Sequence, residues 1–367
     1  MPEVEFSTQQ FSFVALPSGP RLVSYWSGIQ VQFVTPEYIV AARDYDILVK
    51  AHKDGEWRRV ASVPGHPARR WTAAFPILRT VSRSGIRLIA PVEDSKAVVF
   101  CDRGIFLLDL RPSSPALTKI GHVTRGNGPL LQGCCVDGSG VLYYGEYSGG
   151  RERIDTHIYY LQQDWPEWRI YYTFPAGTIR HIHAVQYDPF SKTVWVATGD
   201  RDEESQIGFL VNTPEGSKLN VIASGNQRFR AVSLLFTRDY VYWGTDAQDR
   251  TNAIVRWCRS TGSVEQLSTV DGPVFYSTTD SQGRLFFTTA AEPMQNGKSS
   301  AGLWMSADGQ AWAKVAQWKK HKFPTVLGYD IFGFGVLSLP SGSQFCSSLY
   351  VTGHSVQGAP GTWLLDI

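Results

Sequence analysis

Val194-Trp195-Val196-Ala197-Thr198-Gly199-Asp200 and Val241-Tyr242-Trp243-Gly244-Thr245-Asp246 carry the pattern that decides the fold: an apolar, strand-like run ends in a small residue and then turns polar. The same pattern stands at Tyr38-Ile39-Val40-Ala41-Ala42-Arg43-Asp44, Ala97-Val98-Val99-Phe100-Cys101-Asp102 and Val141-Leu142-Tyr143-Tyr144-Gly145-Glu146. It returns at Leu285-Phe286-Phe287-Thr288-Thr289-Ala290-Ala291-Glu292 and Leu349-Tyr350-Val351-Thr352-Gly353-His354. Copies spaced 44 to 64 residues apart mark a repeat architecture. Strand repeats of this kind close into a ring and set all the polar ends on one rim.

Within one repeat the strands can be counted. Leu131-Gln132-Gly133-Cys134-Cys135-Val136 reads as a first strand, turned by Asp137-Gly138-Ser139-Gly140 into a second from Val141 to Tyr144. A polar loop leads to a third at His157-Ile158-Tyr159-Tyr160 and a fourth at Trp168-Arg169-Ile170-Tyr171-Tyr172. The expectation is an all-β, seven-bladed β-propeller forming a single domain over 1–367. Its blades fall at about 21–62, 86–124, 131–175, 181–224, 230–270, 273–317 and 328–367. Six blades is the alternative, because the first repeat has an irregular outer half and a long linker from Gly65 to Ser84. The last repeat runs out after three strands, so residues 4–14 are expected to supply its fourth and remove an open edge.

Composition agrees and narrows the function classes. With 43% hydrophobic residues the chain can bury a large core, and 34 Gly with 20 Pro suit many short strands joined by turns. A formal charge of +2 gives no basic footprint for nucleic acid. No apolar run approaches the roughly 18 residues of a membrane span. Met1-Pro2-Glu3-Val4-Glu5-Phe6 has neither the basic nor the apolar part of a secretion signal. The five cysteines are odd in number, and the adjacent pair Cys134-Cys135 lacks metal-ligand spacing. The expectation is a cytoplasmic monomer that binds a small molecule or oligosaccharide and neither nucleic acid nor membrane.

Ser306-Ala307-Asp308-Gly309-Gln310-Ala311-Trp312 resembles the Asp-box of sialidase-like propellers, with one residue missing. His52-Lys53-Asp54-Gly55-Glu56-Trp57 and Leu161-Gln162-Gln163-Asp164-Trp165-Pro166-Glu167-Trp168 resemble eroded copies, all at the turn between third and fourth strands. The block from Gly145 to Asp246 is similar to bacterial proteins grouped as sialidase-like or glycosidase-like, whose activity is unsettled. The resemblance implies the propeller and a structural role for the box. It implies nothing about substrate.

Geometry places chemistry on one rim, since the second-to-third loops share a face with the approach to the next first strand. Arg180-His181-Ile182-His183 begins blade four there; alternation puts His181 and His183 on one side, Arg180 and Ile182 on the other. A near-neutral imidazole suits proton transfer. Glu146 and Asp200 are candidate carboxylates for acid or base work, and Tyr276 is a candidate base. Arg153, Arg180, Arg228 and Arg230 could hold a substrate carboxylate, as the arginines of sialidases do. Tyr147, Asp246, Glu292 and His354 complete the expected binding rim. No cofactor or metal is expected, although a divalent ion bridging Asp200 and its neighbours is left open. The first reading is a lyase or glycosidase acting on an acidic sugar. The others are a small-molecule lyase, isomerase or cyclase, and a non-catalytic propeller that binds a glycan or protein.

Overall fold

Seven sheets, each with four principal antiparallel strands, are arranged as a β-propeller; six run in chain order and the seventh takes its outermost strand from the N-terminal part. The structure, a computed structural model, describes residues 20–52, 55–73, 84–93, 95–111, 115–126, 128–162, 167–214, 216–247, 250–292, 300–321, 333–342, 344 and 347–367. The strands nearest the axis, from blade one to blade seven, are Gln30–Val34, Ile86–Glu93, Cys134–Val136, His181–Asp188, Ala231–Phe236, Val274–Thr279 and Val336–Ser338. Burial falls off outward: Thr193–Gly199 in blade four is almost wholly buried, whereas its outermost strand, Gly216–Ser224, is half exposed.

The ring is closed by its N-terminal part. Arg21–Ser27 pairs antiparallel with Gly361–Asp366 as the outermost strand of blade seven, with Tyr25 opposite Trp363. Residues 4–14, expected in that role, lie outside the described residues. Arg21–Ser27 was expected in blade one, which instead starts at Gln30. A second tie runs in parallel between Ser341-Gly342 and Phe33-Val34. Both ties lower the cost of exposed strand edges.

Hydrophobic clusters then settle the count at seven. Each of the seven fills one junction between neighbouring blades. Trp195 of blade four packs on Trp257 of blade five, and Tyr143 of blade three shares a cluster with Val185 of blade four. The cluster of Val31, Ile39 and Tyr350 joins blade seven to blade one, a junction that exists only in a closed ring.

Close approach explains the repeated small residue. A Cβ on Gly145 would lie 2.6 Å from Ile182 of the next inner strand, and one on Gly244 would lie 2.2 Å from Val274. Blades one and two use the tightest second-to-third turns, with Asp44 and Asp102 at φ 54° and 52°. Blades three to six carry longer connections, so the rim is built unevenly. Asp308 accepts from the amides of Gln310 and Ala311 at 2.8 and 3.0 Å, and Trp312 packs on Phe287. Residues 53–54 and 163–166 of the two eroded copies lie outside the described residues.

Gly244→Ala should therefore cost about 1–3 kcal/mol through overpacking against Val274. Urea denaturation measures this. An unchanged midpoint would remove the packing account of the small residue.

Candidate functional site

A repeated irregularity aims side chains at the axis. The inner strands slip register near their starts, between Val31 and Phe33, Ile86 and Leu88, Ile182 and Ala184, Ala231 and Leu234, and Val274 and Tyr276. Such a bulge adds a residue on one strand and redirects its side chain. His183, Val232 and Phe275 occupy these bulges, and all three line a cavity of about 280 Å³ at the channel mouth. Tyr147, Arg180, His181, Asp200, Arg230, Asp246, Tyr276 and Glu292 line it too, with Leu130, Ala247 and Phe334 as apolar wall. Beneath it Gln132 of blade three donates across the channel to the Ser277 carbonyl of blade six at 2.7 Å. A separate cavity of about 460 Å³, lined by Gln186, Tyr187, Phe236 and Thr278, lies toward the other end of the inner strands.

Asp200 is the hub of the polar mouth. Its carboxylate accepts from Arg180 Nη1 at 2.9 Å and lies 3.4 Å from His181 Nε2, 3.9 Å from His183 Nε2 and 3.4 Å from Arg230 Nη2. Burial alone would raise this carboxyl, but His181, His183 and Arg180 hold it well below the ordinary carboxylate range. The backbone is unusual for a residue with a Cβ: φ is 142°. Its carbonyl is held by Gln227 Nε2 at 3.0 Å and Arg230 Nη1 at 3.2 Å. Gly199 precedes it because a Cβ there would lie 2.7 Å from Arg230 and 2.9 Å from His183.

The two imidazoles are oriented by main chain. His181 Nδ1 donates to the Ser148 carbonyl at 2.9 Å, and His183 Nδ1 donates to the Ala231 carbonyl at 3.2 Å. Both Nε2 atoms therefore turn inward, 3.0 Å apart. Burial first, then the electrostatic influence of His181 and Arg230, pushes His183 down to about 3. On the far side Arg230 Nη2 meets Asp246 at 3.0 Å. Burial pushes the Asp246 carboxyl up to about 7; Arg230 opposes this, while Asp200 and Glu292 add to it. Tyr276 is pushed up to about 12, first by burial, so it is a neutral phenol. Arg87, at another bulge, sits 5.8 Å from the Tyr147 ring and donates to the Pro129 carbonyl.

No protein-family model matches the chain, and no curated protein matches it. Solved structures do. A chain of the mitotic checkpoint complex is similar over 97% of this chain and 98% of its own, with 11% identity and a TM-score of 0.57. The extracellular domain of the hybrid two component system BT4673 from B. thetaiotaomicron is similar over 97% of this chain, with 13% identity and a TM-score of 0.54. This chain spans only 39% of that one. The likeness is one of fold.

Of the residues read from sequence, the cavity gathers His181, His183, Tyr276, Asp200, Arg180, Arg230, Tyr147, Asp246 and Glu292. Four others lie outside it. Glu146 is buried behind the wall, accepting from the His157 amide at 2.8 Å and the Tyr159 hydroxyl at 3.1 Å. Arg153 is tied to Glu204 at 2.7 Å, which braces one rim loop against the next. Arg228 sits on the 3₁₀ turn Gln227–Phe229, whose Asn226 cap aims Arg230 rather than Arg228 inward. His354 stands in blade seven, 3.3 Å from Ser338 Oγ. Arg180 shares Asp200 with the histidines because it precedes the strand His181–Asp188 and so lies outside its alternation. Sequence reading missed Arg87, a single residue within the strand Ile86–Glu93, and the anchoring role of Gln227 on its 3₁₀ turn, since single polar residues carry no spacing signal. Among the described residues no helix is long and apolar enough to cross a membrane. Cys101, Cys134, Cys135 and Cys258 are free thiols, and Cys346 lies outside the described residues.

Folding raises Asp246 from the ordinary 3.8 to about 7, so this group stabilises the fold as the neutral acid. That contribution is full below the unfolded value and lost as pH rises through about 7. Asp246→Asn should gain stability relative to wild type as pH rises from about 5 to about 8, measured by thermal melts of both proteins. A pH-independent difference would show that the carboxyl titrates normally.

Proposed function

We propose that the protein is an enzyme that moves protons on a small acidic sugar held in the channel mouth, with elimination as the reaction. The observation that carries this reading is the meeting of Asp246, Tyr276, Arg230 and the His181/His183/Asp200 group around one small cavity. A buried carboxyl at about 7 is balanced between its acid and base forms at neutral pH, the condition for efficient proton transfer. Arg180 and Arg230 on the wall, with Arg87 beside Tyr147, supply positive charge for a sugar carboxylate.

In the reaction Asp246 takes the proton from the carbon next to the sugar's carboxylate. The C–H electrons form the new C=C bond, and the C–O bond on the adjacent carbon breaks. The departing oxygen takes a proton from the Tyr276 hydroxyl, whose high pKa matches an alkoxide leaving group. Hydrolysis finds less support. It needs two carboxyls flanking a glycosidic bond, and here Glu146 lies outside the cavity while Asp200 is engaged by Arg180 and the histidines. The cavity volume favours a single sugar ring or small acid over a polymer, because about 280 Å³ is at the low end for ligand pockets. That same volume supports the second reading, an isomerase or cyclase acting on a small acid. The sialidase-like grouping remains part of the proposal on the strength of the Ser306–Trp312 turn alone.

A panel of uronic-acid mono- and disaccharides, followed by the ultraviolet absorbance of an unsaturated carboxylate product, tests elimination. Turnover of at least one member is expected, with Asp246→Asn and Tyr276→Phe each lowering kcat by about 10²–10⁴-fold. If no member reacts and none raises the melting temperature, the acidic-sugar reading is lost.

A further inference from the structure

The inward-facing histidines ask for a cation. Each Nδ1 donates to a carbonyl, which leaves Nε2 as the ring nitrogen of His181 and of His183 that is open to a ligand, and the two Nε2 atoms face each other across 3.0 Å. Asp200 Oδ1 adds a third donor, 3.4 Å from one Nε2 and 3.9 Å from the other. Three such atoms this close favour further positive charge among them, beyond the Arg230 guanidinium 3.4 Å from the same Oδ1. We propose that His181, His183 and Asp200 bind one divalent first-row transition-metal ion, such as Zn²⁺, Mn²⁺, Fe²⁺ or Co²⁺.

The spacing fits. Two ligands at about 2.1 Å from one ion and about 90° apart lie roughly 3.0 Å from each other. A proton shared along the Nε2–Nε2 line would serve two of the donors; an ion among them serves all three. Two imidazoles and one carboxylate on one side are a donor set for transition ions with open positions, not for Ca²⁺ or Mg²⁺. The outer contacts have the form that orients metal ligands. Both imidazoles are fixed through Nδ1 by main chain, and the other Asp200 oxygen is held by Arg180 at 2.9 Å. Arg180 itself is braced by the Gly149 and Gly150 carbonyls at 2.9 and 2.7 Å. Arg230 does not bar a dication, because Asp246 matches its charge at 3.0 Å and Glu292 lines the same cavity. Tyr147 and Tyr276 line the same cavity, so an ion held by these three residues would share it with oxygen atoms of a ligand.

The metal assignment rests on donor geometry and not on the substrate proposed above, so its test reads the metal directly. The full chain, free of any affinity tag, is stripped with chelator and titrated with Co²⁺. One equivalent should bind, with visible d–d absorption of a nitrogen- and oxygen-ligated ion, and Zn²⁺ should displace it. His183→Ala and Asp200→Asn should each weaken binding more than about 100-fold, and Arg180→Ala by about 10–100-fold. His354→Ala, outside the cavity, should leave binding unchanged. Near-ultraviolet circular dichroism checks that each variant is folded. Absence of stoichiometric Co²⁺ and Zn²⁺ binding by the wild-type chain overturns the assignment even if every variant misfolds, and equal binding by folded Asp200→Asn also overturns it. Metal binding without turnover of any sugar acid would sink the elimination reading and leave this one standing.

Discussion

The whole molecule depends on how closely the end of each second strand approaches the first strand of the next blade. At Gly145 and Gly244 the gap leaves no space for a methyl group without moving an isoleucine or a valine. Interiors at crystal-like density transmit such contacts rather than absorb them. At these junctions the spacing sets the inner strand of one blade directly against the second strand of the blade before it. The hydrophobic clusters between blades supply the favourable free energy, and the pairing of Arg21–Ser27 with Gly361–Asp366 keeps the last edge from being exposed.

At Gly199 this packing rule and the polar site coincide. The atoms that a Cβ would meet there belong to His183 and Arg230 rather than to apolar neighbours. The device that joins blades elsewhere thus seats two charged or ionisable side chains against Asp200. The next residue then takes a φ of 142°, a conformation that costs free energy and persists because Gln227 and Arg230 hold its carbonyl. Local strain, close backbone approach and a buried polar network at one point are the usual marks of a functional position.

The architecture was legible because it is written in periodicity. Alternating apolar runs, turn residues and a recurrent small residue gave the blades and their order to within a few residues. Two parts were not. The closing strand was placed too early because residues 21–27 read equally well as the opening strand of blade one; hydrogen-bond partners, not local pattern, distinguish the two. The rim was over-filled for a related reason. Glu146 and His354 follow the same small-then-polar rule as Asp200 and Asp246, but Glu146 finds the His157 amide and Tyr159 hydroxyl, and His354 finds Ser338. Which polar end turns inward is set by loop length and by bulges, and a bulge breaks the very alternation that sequence reading relies on.

Asymmetry within a near-symmetric ring finally accounts for where the polar mouth lies. Blades one and two spend their second-to-third connections on tight turns through Asp44 and Asp102, and Asp102 is taken up by Tyr45 and the Gly85 amide. Blades three to six have longer connections, and their side chains line one cavity, while Gln132 of blade three bonds across to the Ser277 carbonyl of blade six. Charges inside the cavity are removed from bulk water, so Arg180, Arg230, Asp200 and Asp246 act on one another far more strongly than exposed groups would. This mutual action holds Asp200 below the ordinary carboxylate range and lifts Asp246 above it, although both share the guanidinium of Arg230. Two carboxyls with one chemistry are thereby set apart for different work, one fixed as an anion beside the histidines and the other able to gain or lose a proton near neutrality.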